Sequence, residues 1–262
     1  MNRYQTLRVE EQPGSVLLAT LDRPQVANAF NTQAALELHD VFRSLEKNEA
    51  HRCVVLTGAG DKAFCAGADL KERNSLSDDQ WHAQHATFER MFRAVLECPV
   101  PVIAAVNGAA YAGGLELMLL CDFAYASRTA RFALTEVSLG IMPGGGGTQT
   151  LPRAAGERRA KELILAARPF SAGEALDWGV VNKLCEPGSL LEETLATARR
   201  IAGNAPLSVR QAKRAIGAGL QTDLRSGMKL ELDAYNTLVG TEDRREGIRA
   251  FNEKRKPVFK GR

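Results

Sequence analysis

The sequence predicts an α/β protein, and three observations carry that prediction. Short β-branched runs alternate with longer segments of helical spacing over roughly the first 190 residues. Most of these runs lead into a glycine-bearing turn. From about residue 156 onward the helical patterns become dense and are separated only by Gly and Pro.

In chain order, SVLLATLDRP (15–24) reads as a strand halted by Pro24. NTQAALELHDVFRSLEKN (31–48) has helical spacing at Leu36, Val41, Phe42 and Leu45, with Asn31 placed to cap the helix. RCVVLTGAG (52–60) is a second strand running into a glycine turn, and 61–74 reads as a loop that becomes polar and charged. An amphipathic helix follows over 75–98, capped by Ser75 or Ser77 and ended by Pro99. VPVIAAVNG (100–108) is the next strand; Gly113-Gly114 then opens a helix that carries Glu116. GERRAKELILAA, SAGEALDWG, SLLEETLATARRIAGN and PLSVRQAKRAIGAGL are successive helices, and the tail from Asp223 is helical and then strongly charged. No sequence repeat is evident, although strand, turn and helix recur. The organisation expected is a core over 1–195 that holds the site, and a helical C-terminal region over 196–262.

Composition narrows the function. The chain has 262 residues, 45% hydrophobic and 25% charged, with a net charge of only +3, so nothing global calls for nucleic acid or an anionic membrane. No apolar run approaches the roughly 20 residues that span a bilayer. The first residues lack the apolar stretch of a secretory signal. Five scattered cysteines (Cys53, Cys65, Cys98, Cys121, Cys185) form no CxxC pair, the pattern of reduced thiols in a cytoplasmic compartment or a mitochondrial matrix. His82 and His85 lie three residues apart, but on a charged helix face that reads as solvated, so no metal is expected. P-loop, HExxH, G-x-S-x-G and G-x-G-x-x-G motifs do not occur in the contexts they require.

Main-chain amides and carboxylates are what is left. Gly113-Gly114, at a strand-to-helix turn, offers free N–H groups where negative charge can develop. Glu116 follows Gly113 by about one helical turn, among Leu, Met and Cys, where an ionised carboxylate is costly unless paired or used. The alternative is a first-turn glutamate that only complements the helix dipole. FCAGADLKE (64–72) places a second glycine-bearing loop after a strand, and FALTEVSLGIMPGGGGTQ (132–149) places Glu136 before four glycines. Two donor loops with two glutamates suit enolate chemistry: a carbonyl polarised by N–H groups while carboxylates move protons at neighbouring carbons.

At these residues the chain closely resembles the enoyl-CoA hydratase/isomerase (crotonase) superfamily. DRPQVANAFN, KAFCAGADLKE, PVIAAVNGAAYAGGLELMLLCD, FALTEVSLGIMPGGGGTQTLPR, AKELILAARPFSAGEALDWGVVNKL and DRREGIRAFNEKRKPVFKG carry the resemblance, in order, over nearly the whole length. It implies a spiral of ββα units and a helical C-terminal region used in trimerisation, as a homotrimer or homohexamer. It also implies an acyl-CoA thioester substrate and no cofactor beyond the coenzyme A within that substrate. By position, the N–H groups of Ala68 and Gly113 match the oxyanion hole. Glu116 matches the glutamate that activates water, Glu136 the one that delivers a proton, and Gly144 a glycine whose N–H helps hold the water. The CoA moiety would lie along Arg23, Ala27, Asn28, Ala66, Gly67, Asp69 and Leu70, with Phe259 and Lys260 contributing from the tail, of the same or of a neighbouring subunit; plain solvation is the competing explanation for that tail.

The implied reaction is hydration of a short-chain 2-enoyl-CoA. A methylglutaconyl-CoA-type hydratase, an isomerase and another acyl-CoA lyase are the alternatives on the same scaffold; a nucleic-acid-binding or scaffold protein is the alternative outside it. The sequence has Ala112 where many relatives carry glycine, which reads as a change of little steric cost, and Thr150 where arginine is frequent. Acyl specificity is expected from the helix around Trp81, Phe88 and Met91.

Overall fold

The computed structural model describes residues 3–262. β1 (Leu7–Gln12) and β2 (Val16–Leu21) pair antiparallel, and α1 (Thr32–Ser44) follows, its first turn capped by the Asn31 side chain on the Ala34 N–H at 3.0 Å. β3 (Cys53–Gly58), β4 (Ala63–Cys65), α2 (Leu70–Arg73) and α3 (Asp78–Leu96) come next. Then come β5 (Val102–Val106), β6 (Ala109–Tyr111), α4 (Gly113–Leu119), β7 (Phe123–Ser127), β8 (Arg131–Ala133) and a 3₁₀ turn over Glu136–Leu139. α5 (Gly147–Ala155), α6 (Glu157–Leu165), β9 (Phe170–Ser171), α7 (Ala172–Asp177), β10 (Lys183–Cys185) and α8 (Leu190–Ala202) complete the core. α9 (Pro206–Gly219), α10 (Leu224–Val239) and α11 (Glu242–Asn252) end the chain.

Three consecutive units share one plan: a long strand, a short strand, then helix. The long strands enter a six-stranded sheet of order β1-β2-β3-β5-β7-β10, and the short ones a four-stranded sheet of order β4-β6-β8-β9. β4, β6 and β8 are parallel neighbours, so the segments leaving them emerge side by side at one edge, at a strand spacing of about 4.8 Å. The ββα spiral implied by the resemblance is thus present, as a repeat of geometry.

Strand periodicity divides the core in two. Leu17, Ala19, Val54, Leu56, Val102 and Ala104 face the main core with α1 and α3, while Val16, Leu18, Cys53, Val55, Ile103 and Ala105 face α8. Strands buried on both faces read as continuous apolar runs, as β3 and β5 do. α3 is capped by Ser77, whose Oγ takes the Gln80 N–H while the Gln80 side chain returns to the Ser77 N–H, a reciprocal capping box.

The structure corrects the sequence expectations in three places. Residues 61–74 are not a loop throughout, because they contain β4 and α2; β4 has only three residues, too few for a period to register. Leu36 is exposed, and its place in the core is taken by Leu38, which is fully buried, because the buried face of α1 runs through Ala34, Ala35, Leu38, Val41 and Phe42. β1 was not anticipated, since LRVEEQ carries charge on its outward positions at a sheet edge.

Residue 195 lies inside α8, whose Leu190, Leu195, Ala198 and Ala202 all pack on the sheet. α9 meets the sheet through Lys213, which bonds the Val100 carbonyl (2.9 Å) and the Asp122 carboxylate (2.7 Å). α10 lies along α9 and leaves Leu224, Met228, Leu232 and Tyr235 exposed. Among the described residues no helix is long and apolar enough to cross a membrane.

Candidate active site

The edge formed by β4, β6 and β8 collects the segments that carry Ala68, Gly113, Glu116 and Glu136. Phe30 bridges to the segment after β4: its N–H bonds the Gly67 carbonyl and its carbonyl takes the Asp69 N–H, both at 2.9 Å. By strand alternation the Ala68 N–H then points away from Phe30. Gly113 is the first residue of α4, where an N–H has no partner within the helix. The two donor segments are pressed together. A Cβ on Gly67 (φ +94°) would lie 3.1 Å from the Gly113 nitrogen, and one on Gly113 would lie 2.7 Å from the Phe30 ring. Only glycine fits this approach.

Glu116 stands in the first turn of α4 and is 3% exposed. Its Oε1 accepts N–H bonds from Gly145 and Gly147, each at 2.8 Å. Burial raises its pKa, while the Gly147 and Gly145 N–H groups oppose that rise by stabilising the charge. Glycine is needed at both positions: an added Cβ would come within 2.3 Å of the Phe92 ring at Gly145, and 3.0 Å from Glu116 Oε1 at Gly147.

Glu136 opens the 3₁₀ turn after β8 and is also buried. Its two carboxylate oxygens are enclosed and have no hydrogen-bond partner among the described residues. Burial pushes its pKa up to about 7, and the charge of Glu116 adds to the rise. One glutamate is therefore supplied with donors and the other is bare. Gly144 follows Glu136 by eight residues, at the start of the glycine run, with His85 of α3 against it, since a Cβ there would sit 2.9 Å from His85 Cε1.

The residues expected along the CoA moiety separate into two groups. Arg23 is not a free cation: it bonds the Ala29 carbonyl at 2.6 Å and pairs with Asp69 at 2.8 Å. Burial alone would raise the Asp69 carboxyl, but the guanidinium beside it holds it below the usual carboxylate range. Asn28 is 2% exposed, and its amide is spent on the Ala59 and Ala63 carbonyls at 2.9 and 2.7 Å. The Ala66 N–H bonds the Ala27 carbonyl at 3.0 Å, which ties the 24–28 turn to the segment after β4, and Leu70 stands exposed at the start of α2. Phe259 and Lys260 lie elsewhere in the same chain. Phe259 meets Arg52, just before β3, through its carbonyl (3.0 Å), and the Lys260 N–H is held by the Asp243 carboxylate (2.7 Å). The 23–28 turn sits beyond the other end of β3, a strand roughly 20 Å long at six residues. Both are thus remote from this chain's own site.

Reading from sequence missed Phe30, Gly145 and Gly147. The run of four glycines was the available signal for the last two, since a side chain would not fit there. It also misjudged Ala112, which caps α4 at φ 49° and ψ −128°, a region that favours glycine and costs any other residue about 1–3 kcal/mol. Ala112→Gly should raise the stability of the folded chain by about 1 kcal/mol, read as a higher midpoint in urea or heat. An unchanged or lowered midpoint would show that neighbouring contacts of the methyl group outweigh the strain.

The enoyl-CoA hydratase/isomerase family model matches residues 11–262. A crotonyl-CoA hydratase of Syntrophomonas wolfei is 40% identical, covering 98% of this chain and 98% of its own. A short-chain-enoyl-CoA hydratase of Clostridium acetobutylicum is 40% identical, with 94% of each chain covered. The crystal structure of an enoyl-CoA hydratase from Bacillus anthracis is 43% identical and superposes with a TM-score of 0.97, over 98% of this chain and 100% of that one. With that match over nearly the whole chain, and two buried glutamates on the same frame, this chain belongs to the enoyl-CoA hydratase/isomerase family.

Proposed function

We propose that this chain is a hydro-lyase that adds water reversibly across the C2=C3 bond of a short-chain 2-enoyl-CoA. The observation that carries the reading is the unlike surroundings of the two glutamates. Two N–H donors favour the charged form of Glu116, whereas Glu136 is buried without a donor and keeps its proton up to about pH 7. Carboxyls whose environments push their protonation apart are suited to work as base and acid.

In the proposed reaction the thioester oxygen rests on the Ala68 and Gly113 N–H groups, which stabilise it as it gains enolate character. Glu116 takes a proton from water as the water oxygen bonds to C3. The displaced electron pair moves toward the thioester, and C2 receives its proton from Glu136. The Gly144 N–H assists in holding the water. No group outside the chain is required beyond the coenzyme A carried by the substrate. The segment Ala66–Asp69 and the 24–28 turn flank the pantetheine and adenine, with the Arg23–Asp69 pair as their brace.

Absorbance loss of the conjugated thioester, followed over a panel of 2-enoyl-CoAs, tests this directly. Hydration-direction kcat/KM should fall as pH rises through about 7, because Glu136 then loses the proton it must donate. No turnover of any 2-enoyl-CoA, or a rate that increases through that range, would refute the assignment.

We further propose that the chain works as a homotrimer or homohexamer, in which α10 buries its exposed stripe against a neighbour and Phe259 and Lys260 approach that neighbour's site. Light scattering at micromolar concentration should give three or six times 28.5 kDa; a monodisperse monomer would reject it. The free, buried thiols suit a reducing cytoplasm-like compartment.

A further inference from the structure

Ala112 holds a backbone conformation that glycine would adopt freely, at φ 49° and ψ −128°. It stands between the two segments that carry the Ala68 and Gly113 N–H groups, and its conformation is fixed from both sides. The Ala112 N–H bonds the Ala133 carbonyl of β8 at 2.8 Å, and its own carbonyl accepts the Leu115 and Glu116 N–H groups at 2.9 and 3.1 Å. The first turn of α4, with Gly113 and Glu116 in it, is thus anchored through this one residue. Backbone strain of this kind persists only where the surroundings enforce it, and it clusters at active sites.

The methyl group of Ala112 meets the opposite segment. A Cβ built on Gly67 would lie 3.0 Å from Ala112 Cβ. Adding one bond length puts the methyl no more than about 4.5 Å from Gly67 Cα, which is contact distance for two carbons. The other near neighbours of that built Cβ are main chain, the Gly113 nitrogen and the Tyr111 carbonyl oxygen, both at 3.1 Å. Gly67 immediately precedes Ala68, and Phe30 holds that segment from its far side, through the Gly67 carbonyl and the Asp69 N–H. Between residues 66–69 and 112–113 no hydrogen bond is formed among the described residues. Contact alone therefore sets how far apart the two donors stand, and the Ala112 methyl is the side-chain group within that contact.

We propose that Ala112 is a positioning residue whose methyl group acts as a spacer, holding the Ala68 and Gly113 N–H groups at the separation that the enolate oxygen requires. The proposal rests on the hydratase reading and gives the strained alanine a task that glycine cannot perform. Both donors must lie about 2.7–3.1 Å from the developing charge to stabilise it, and a misplacement of about 1 Å in such a site can cost about 10²-fold in rate.

The test compares the unaltered protein with Ala112→Gly, which removes the spacer and the strain together, and with Ala112→Ser, which keeps a Cβ. Ala112→Gly should lower kcat for crotonyl-CoA about tenfold or more, with kcat/KM falling equally, because the loss is confined to the transition state. Its midpoint in urea should not fall. Ala112→Ser should recover most of the lost kcat. A merely structural role would lower stability and turnover together. A second readout does not depend on turnover: bound 4-(dimethylamino)cinnamoyl-CoA absorbs further to the red as its carbonyl oxygen is polarised. That red shift should be smaller in Ala112→Gly and largely restored in Ala112→Ser. Unchanged kcat in Ala112→Gly, a loss joined to a lowered midpoint, an equal loss in Ala112→Ser, or the same red shift in all three proteins overturns the proposal. Any of these with crotonyl-CoA turned over by the unaltered protein overturns the spacer alone; no turnover of any 2-enoyl-CoA by the unaltered protein removes the hydratase reading with it.

Discussion

Glu116→Gln and Glu136→Gln should each lower kcat for hydration by about 10²–10⁴, the range for losing a positioned general acid or base. The Glu116 exchange is close to isosteric. An amide oxygen can still accept the Gly145 and Gly147 N–H groups that Oε1 accepts now, so the glycine loop stays in place while the proton acceptor is lost. The Glu136 exchange is milder for the fold, because no hydrogen bond to its oxygens is broken. It should also remove the fall in kcat/KM near pH 7, since the group that titrates there is gone. Turnover by absorbance, with circular dichroism to confirm folding, checks both. Near-normal kcat in the two variants would dissociate the glutamates from the chemistry.

Gly113→Pro should cost about 2.7–4 kcal/mol of transition-state stabilisation, the typical loss of one oxyanion donor. Proline is tolerated at the first position of a helix, where it removes the N–H and puts a ring carbon in its place. Steric interference is the complication, because any Cβ at 113 meets the Phe30 ring at 2.7 Å. Gly113→Ala supplies the control: it carries the same Cβ into Phe30 but keeps the N–H. The two variants should share any packing loss in thermal stability, and only the proline variant should lose the further 10²–10³ or so in kcat. Equal kcat in the two would take the Gly113 N–H out of the oxyanion hole.

Much of the fold was legible because its signals are local. Asn31 and the pattern behind it announced α1, a cap at Ser75 or Ser77 and the amphipathic pattern behind it announced α3, and the β-branched runs of β2, β3 and β5 stood between glycine and proline. What escaped was short or two-sided. β4 has three residues and α2 four, too few for a period. Leu36 satisfied a helical spacing yet sits outside the buried arc of α1, because the face chosen depends on where the sheet and α3 lie. Thr150 bonds the Gly146 carbonyl at 3.0 Å, a contact from the first turn of α5 to its cap.

Within the site, the division is sharper. The sequence by itself determined which residue types could act: two glutamates, glycine-bearing turns after strands, and no nucleophile or metal cluster in a recognisable motif. Tertiary structure decided what each glutamate's surroundings are. Glu116 receives its donors from glycines 29 and 31 residues further along, and Glu136 receives none. It decided that Arg23 and Asn28 are struts, and that Phe259 and Lys260 stand at the far end of β3. It also decided that Ala112 bears strain. The reason is physical. Helix and strand periods are written in residues a few positions apart, whereas desolvation and hydrogen-bond supply come from groups that meet only when β4, β6 and β8 align in parallel.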